Sequence, residues 1–192
     1  MIAHEHVQKI RFKDLLFVFI AVLVVSLIIF TTNLLFSPTT SFIVSLIFLV
    51  LGMNISVYLI KKSGAATLFY ILTAIMTFWI DDVGIIGWKK ILVFFFAGLI
   101  FEFIFLFLKL HLHNVPLDMV MGTGLSVSSI PLIMAFMISD ELAGSFPLQL
   151  LNIIILAFAV GIIASTIVFL FWHEIEHTRL ILWLESYLMT LA

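Results

Sequence analysis

Six apolar runs of about twenty residues, separated by short charged, glycine- or proline-bearing breaks, leave this chain few folds to choose from. The runs cover about 15–36, 41–60, 64–80, 88–108, 117–138 and 148–172, and a short segment at about 174–190 follows them. A hydrocarbon core of about 30 Å needs roughly 20 apolar residues in helical form, so 192 residues supply at most six or seven spans and no separate soluble domain. Composition agrees, because 64% of the residues are hydrophobic and only 10% are charged, against about a quarter charged in a water-soluble globule. The expected fold is all-α. It is a polytopic membrane protein with six transmembrane helices, a C-terminal interfacial helix and a single integral membrane domain over 1–192.

Each break carries the residues that end helices. They are Ser37-Pro38-Thr39-Thr40, Lys61-Lys62-Ser63-Gly64, Asp81-Asp82-Val83-Gly84, Lys109 to Pro116, and Ser139 to Pro147. Lys9, Arg11 and Lys13 imitate the basic head of a signal peptide, but the apolar run after them is too long and no A-x-A-like cleavage site follows, so it reads as a retained first span. The basic residues orient the bundle. With the N-terminus cytoplasmic, Lys9, Arg11, Lys13, Lys61, Lys62, Lys109 and Arg179 lie inside, and only Lys89 and Lys90 lie outside. That is the positive-inside bias, and it places both termini in the cytoplasm and the protein in the cell membrane. All six histidines (His4, His6, His111, His113, His173 and His177) then lie inside, while Asp81, Asp82, Asp140 and Glu141 face outward against two lysines.

Several functions are excluded at once. A formal charge of −2, with no basic run longer than a pair, offers nothing to nucleic acid. The absence of cysteine removes disulfides, thiolate metal sites and cysteine nucleophiles. No phosphate-cradling loop occurs, and Gly122-Thr123-Gly124-Leu125-Ser126 lacks the strand–turn–helix setting of a nucleophile elbow. No pair of acids of the intramembrane aspartyl protease kind is present, and no cofactor is expected.

Three features remain. Glu102 is the acid well inside an apolar run, where a carboxylate is costly and marks a functional site by default; the competing use is helix–helix hydrogen bonding. Trp79 and Trp88 bracket Asp81, Asp82 and two glycines at the outer face, an arrangement suited to a flat or cationic ligand and also to an aromatic belt. His173-Glu174-Ile175-Glu176-His177 is a literal H-E-x-x-H. On a helix its two imidazoles share a face and could hold zinc, with Glu174 activating a water. Against this protease reading stand the fifteen residues left to build a cleft and a third ligand sought only among His4, His6, His111 and His113. Trp172, Arg179, Trp183 and Tyr187 instead suggest a surface-lying helix whose polar face carries the histidines and glutamates.

Small residues at helical spacing, Ala157, Gly161 and Ser165, invite a neighbouring helix to approach closely. Gly122, Thr123, Gly124, Ser126, Ser128, Ser129 and the helix-bending Pro131 give the fifth run the character of a cavity wall. Asn54 and Asn152 read as amides that join helices.

Lys62-Ser63-Gly64-Ala65-Ala66-Thr67-Leu68, the loop with Gly84 and Gly87-Trp88, and Ala97-Gly98-Leu99-Ile100-Phe101-Glu102-Phe103-Ile104-Phe105 together resemble the substrate-binding membrane subunits (S components) of energy-coupling factor vitamin transporters, of the hydroxymethylpyrimidine/thiamine permease type. The similar stretch covers about residues 61–108, and the spacing of Trp172, Thr178-Arg179 and Glu185 in the tail is also similar. The resemblance implies six helices with both termini inside and an outward-opening pocket that captures a vitamin or its precursor. It further implies a transmembrane coupling subunit and two cytosolic ATPases as partners. Trp79, Asp81, Asp82, Trp88 and Glu102 match the region of such a site, as stacking platforms and partners of a cation. Phe17 to Phe30 lacks the Ala-x-x-x-Ala patch that many such subunits use for docking. The expected function is therefore substrate capture for a small-molecule importer; the alternatives are the zinc protease and a small structural membrane protein without a ligand.

Overall fold

The computed structural model describes residues 10–108, 111–112, 115–138 and 147–189. His4, His6, Lys9, Lys109, His113, Asp140 and Glu141 lie outside the described residues. Among the described residues, seven helices follow one another: α1 (Phe12–Leu35), α2 (Pro38–Ile60), α3 (Ala65–Met76), α4 (Trp88–Leu108), α5 (Leu117–Ile138), α6 (Pro147–Ile175) and α7 (Arg179–Met189). A minimal antiparallel pair, β1 (His111–Leu112) with β2 (Val115–Pro116), joins α4 to α5.

Local chemistry sets the helix ends. The Asp14 carboxylate accepts the Arg11 backbone N–H at 2.7 Å and closes the first turn of α1, the reciprocal arrangement of a capping box. Pro38 opens α2, where its missing N–H costs nothing. Lys61 then ends α2 in the left-handed region at φ 51°, and Gly64 at φ 86° turns the chain into α3. Within α5 the helix runs through Pro131 without a break.

Among the described residues five helices are long and apolar enough to cross a membrane, and the protein is a multi-pass membrane protein. The third run departs from the expected 64–80. Its helix stops at Met76 after 12 residues, about 18 Å at 1.5 Å per residue, short of a 30 Å core. Hydropathy continues to Ile80, but the backbone leaves the helix in two tight turns, Phe78 N–H to Ile75 O at 3.3 Å and Ile80 N–H to Thr77 O at 3.0 Å. The carbonyls released there are taken by a side chain of α4, a tertiary partner that hydropathy does not register. α3 lies antiparallel to α4, since Lys90 in the first turns of α4 reaches Thr77 and Glu102, near its end, reaches Ala66.

Glycines set the tightest helix crossings. A Cβ on Gly161 of α6 would sit 2.9 Å from the Cα of Gly124 in α5, and one on Gly98 of α4 would sit 2.6 Å from the Cα of Thr67 in α3. Ala157 and Ser165, a turn to either side of Gly161, are buried, so this small-residue stripe packs within the chain. Gly161→Val is expected to push α5 and α6 apart and cost about 1–3 kcal/mol, read as a lower Tm in detergent. Gly122→Ala is the control: its Cβ would meet side chains at an ordinary 3.5 Å, and an unchanged Tm is expected.

Several polar groups in the bundle centre are satisfied within their own helix or meet a neighbour across helices. Thr123 Oγ1 donates to Met119 O at 2.7 Å and lies 3.1 Å from Asn54 Oδ1. Asn54 Nδ2 donates to Val50 O at 3.0 Å. Ser126 Oγ lies 2.7 Å from the Ala97 carbonyl and 3.0 Å from the Tyr70 hydroxyl. Asn54 of α2 thus faces Thr123 of α5, while Asn152 is exposed on α6.

Candidate functional site

Residues 77–87 fold back on themselves at the end of the bundle where α3 finishes and α4 begins. The Gly87 N–H donates to Phe78 O at 3.0 Å, and Gly84 and Gly87 take φ of 81° and 78°, a region that side chains resist. Val83 and Ile85 turn inward and are buried. Trp79 and Trp88 stay open to the surroundings, 85% and 76% exposed, each set edge-on against Phe78 with ring centroids 5.0 and 5.8 Å away. Asp81 is exposed beside them.

Asp82 behaves differently. It is buried and forms an ion pair with Lys90, whose side chain is 0% exposed. The same ammonium donates to Thr77 O at 2.9 Å and Ile80 O at 3.0 Å. Thr77 caps α3 and its carbonyl also accepts the Ile80 N–H, so one lysine serves a carboxylate oxygen, the Ile80 carbonyl and the turn that ends the helix. The second carboxylate oxygen of Asp82 is buried without a partner.

Glu102 lies elsewhere. Twelve residues of α4 separate it from Lys90, about 18 Å along the axis. Its Oε1 accepts the Ala66 N–H at 3.0 Å and, more weakly, the Thr67 N–H at 3.5 Å. The carboxylate therefore sits at the N-terminus of α3, where the helix dipole favours a negative charge. α4 holds α3 at both ends, with an anion at the positive end and a cation at the negative end. Beside Glu102 a groove of about 550 Å³ runs between α3 and α4, lined by Gly64, Thr67, Leu68, Ile71, Leu99 and Leu106 among others, with an almost wholly apolar wall. The structure thus gathers Trp79, Asp81, Asp82 and Trp88 on one segment and places Glu102 near the opposite end of α4.

Three buried charges escaped sequence reasoning. Asp14 pairs with Lys62 across the start of α1 and the end of α2; Asp118, buried in the first turn of α5, accepts the Met119 N–H at 2.9 Å; Lys90 is described above. Asp14 and Asp118 each lie within a few residues of the start of an apolar run, the position where an acid caps a helix. Lys90 stands third in its run, and nothing in its neighbours announces that it points inward.

At the other end of the molecule, α6 stops at Ile175, between the two histidines of the H-E-x-x-H. Both exposed imidazoles approach Glu176 rather than Glu174, with His173 Nδ1 at 3.3 Å and His177 Nε2 at 3.6 Å from its Oε1. The single helical face that the zinc reading requires is interrupted, and no group of three metal-binding side chains occurs among the described residues. Tyr58 and Trp172 stack behind this turn at 5.3 Å and fasten α2 to α6. No family model, curated protein or solved structure matches the chain.

Proposed function

We propose that this protein is the substrate-capture membrane subunit of a small-molecule importer of the cell membrane, taking a cationic or aromatic heterocycle such as a vitamin or its precursor. The observation that carries the reading is the interruption of the third run. Non-helical backbone at membrane depth is tolerated where it is buried in protein or lines a cavity, and broken helices mark the solute sites of many transporters. Here the break is followed by two exposed indoles, an exposed Asp81 and a buried Asp82. Indoles stack on flat rings and attract cations; carboxylates select positive charge. Glu102 enters as the anchor of α3 and supports the site from a distance.

The importer reading includes six passes, with α3 and residues 77–87 completing the third, both termini in the cytoplasm and α7 lying at the inner interface. Ile181 of α7 is buried while Leu182, Trp183 and Tyr187 are exposed, the amphipathic pattern of such a helix. A transmembrane coupling subunit and cytosolic ATPases would supply the energy for release.

A thermal-shift screen of detergent-purified protein against thiamine, its pyrimidine precursor and the other water-soluble vitamins tests the proposal. A true substrate at a hundredfold excess over its Kd stabilises the fold by about 2.7 kcal/mol, and the shift should shrink in Trp79→Ala and Trp88→Ala. No response to any vitamin would sink the reading.

A further inference from the structure

The oxygens around Lys90 form a cation site in their own right. The Thr77 and Ile80 carbonyls and the Asp82 carboxylate converge on a single ammonium, and the Phe94 ring lies 5.8 Å from it. Unwound carbonyls at the end of a half-helix, next to a carboxylate, are the groups with which membrane transporters coordinate cations. The Asp82 side chain is fully buried, yet its second oxygen has no donor, so the cluster has accepting capacity that Lys90 leaves unused. We propose that this oxygen nest is a site for a primary ammonium or an equivalent N–H-rich cation, occupied from within by Lys90, and that a cationic ligand binds by displacing the lysine.

The chemistry defines the ligand class. A primary ammonium carries three N–H donors, one for each of the Thr77, Ile80 and Asp82 acceptors. A quaternary ammonium of the same charge offers none and is excluded. Lysine suits the role of an internal occupant because its four-carbon stem is flexible and its charge compact, so the head can leave without moving the α4 backbone. Trp79 and Trp88 stand exposed on either side of the segment that carries Ile80 and Asp82, where an arriving cation meets aromatic faces first.

Emptying the nest tests this. In Lys90→Met the three acceptors remain and the occupant is gone. Methylammonium chloride should then raise the Tm saturably, while tetramethylammonium and potassium chloride at equal ionic strength should not. Wild type, where methylammonium must first displace the tethered lysine, should show the same difference only at higher methylammonium concentration, and Lys90→Met with Asp82→Asn should lose the response. A Lys90→Met protein that treats methylammonium, tetramethylammonium and potassium alike overturns the proposal, as does an equal methylammonium response in wild type. Where Lys90→Met does not yield folded protein, Lys90→Leu, which also brings no N–H donor, takes its place with the same expectations. The site shares its location with the importer reading but not its test: rescue without any vitamin response leaves the site standing and the importer reading fallen, and a vitamin response without rescue does the reverse.

Discussion

Lys90→Met is expected to destabilise the protein by about 3–5 kcal/mol, the cost of breaking a buried ion pair by removing one partner. The substitution preserves much of the apolar stem, so little of the loss comes from packing. It comes from Asp82, whose buried carboxyl loses its counter-charge, and from the Ile80 carbonyl, which loses its donor while Thr77 O keeps the Ile80 N–H. Asp82→Asn in the same chain should restore a large part of the stability, because an amide at that position carries no charge to bury. The double-mutant cycle therefore predicts a coupling well above the few tenths of a kcal/mol seen for independent sites. Lys89→Met is the internal control. That neighbouring side chain is exposed and reaches only the Met137 carbonyl at 3.3 Å, so a change within about 0.5 kcal/mol is expected, as for ordinary surface positions. Denaturation in detergent, followed by tryptophan fluorescence, measures the four proteins of the cycle and the Lys89→Met control. Equal losses for Lys89→Met and Lys90→Met would remove Lys90 from the centre of the fold.

The membrane character and most helix limits were legible because they rest on local quantities. Apolar run length, Pro38 at a helix start and Gly64 at a helix end act within a few residues of themselves. The close approach of α5 and α6 was legible from Ala157, Gly161 and Ser165 for the same reason. α3 was read four residues too long at its C-terminal end, since Thr77-Phe78-Trp79-Ile80 is as apolar as a span requires and its release from the helix depends on an ammonium ten to thirteen residues away. Burial was legible for Glu102, inside an apolar run, but not for Asp14, Asp82 and Asp118, which lie at run ends and are buried by tertiary contacts. Asp82 and Glu102 share charge and side-chain chemistry, yet one neutralises a lysine and the other caps a helix, and only the antiparallel docking of α3 on α4 decides which. The H-E-x-x-H differs again: its spacing is real, but a helix end falls inside it.

Glu102→Ala is expected to cost about 2–3 kcal/mol, since it strips the acceptor from two amides in the first turn of α3, and an unsatisfied buried donor costs about 1–3 kcal/mol. The Ala66 and Thr67 N–H groups lie in a buried first turn against α4, where water cannot readily replace the lost oxygen. Glu102→Gln keeps an oxygen in place and loses only the charge facing the helix dipole, an interaction of about 0.3–2 kcal/mol, so it should fall between wild type and alanine. If Glu102 were a direct partner of the cation, Glu102→Gln would weaken a cationic ligand without unfolding the protein. With Glu102 about 18 Å along α4 from Lys90, the expectation becomes a stability loss with ligand affinity retained at temperatures where the variant is folded. The two outcomes separate cleanly in one titration. A ligand Kd equal to that of wild type, together with a lower Tm, assigns Glu102 to the anchoring of α3. A Kd weakened tenfold or more with Tm unchanged would move the ligand site to the apolar groove beside Glu102 and away from the indoles at the other end of α4.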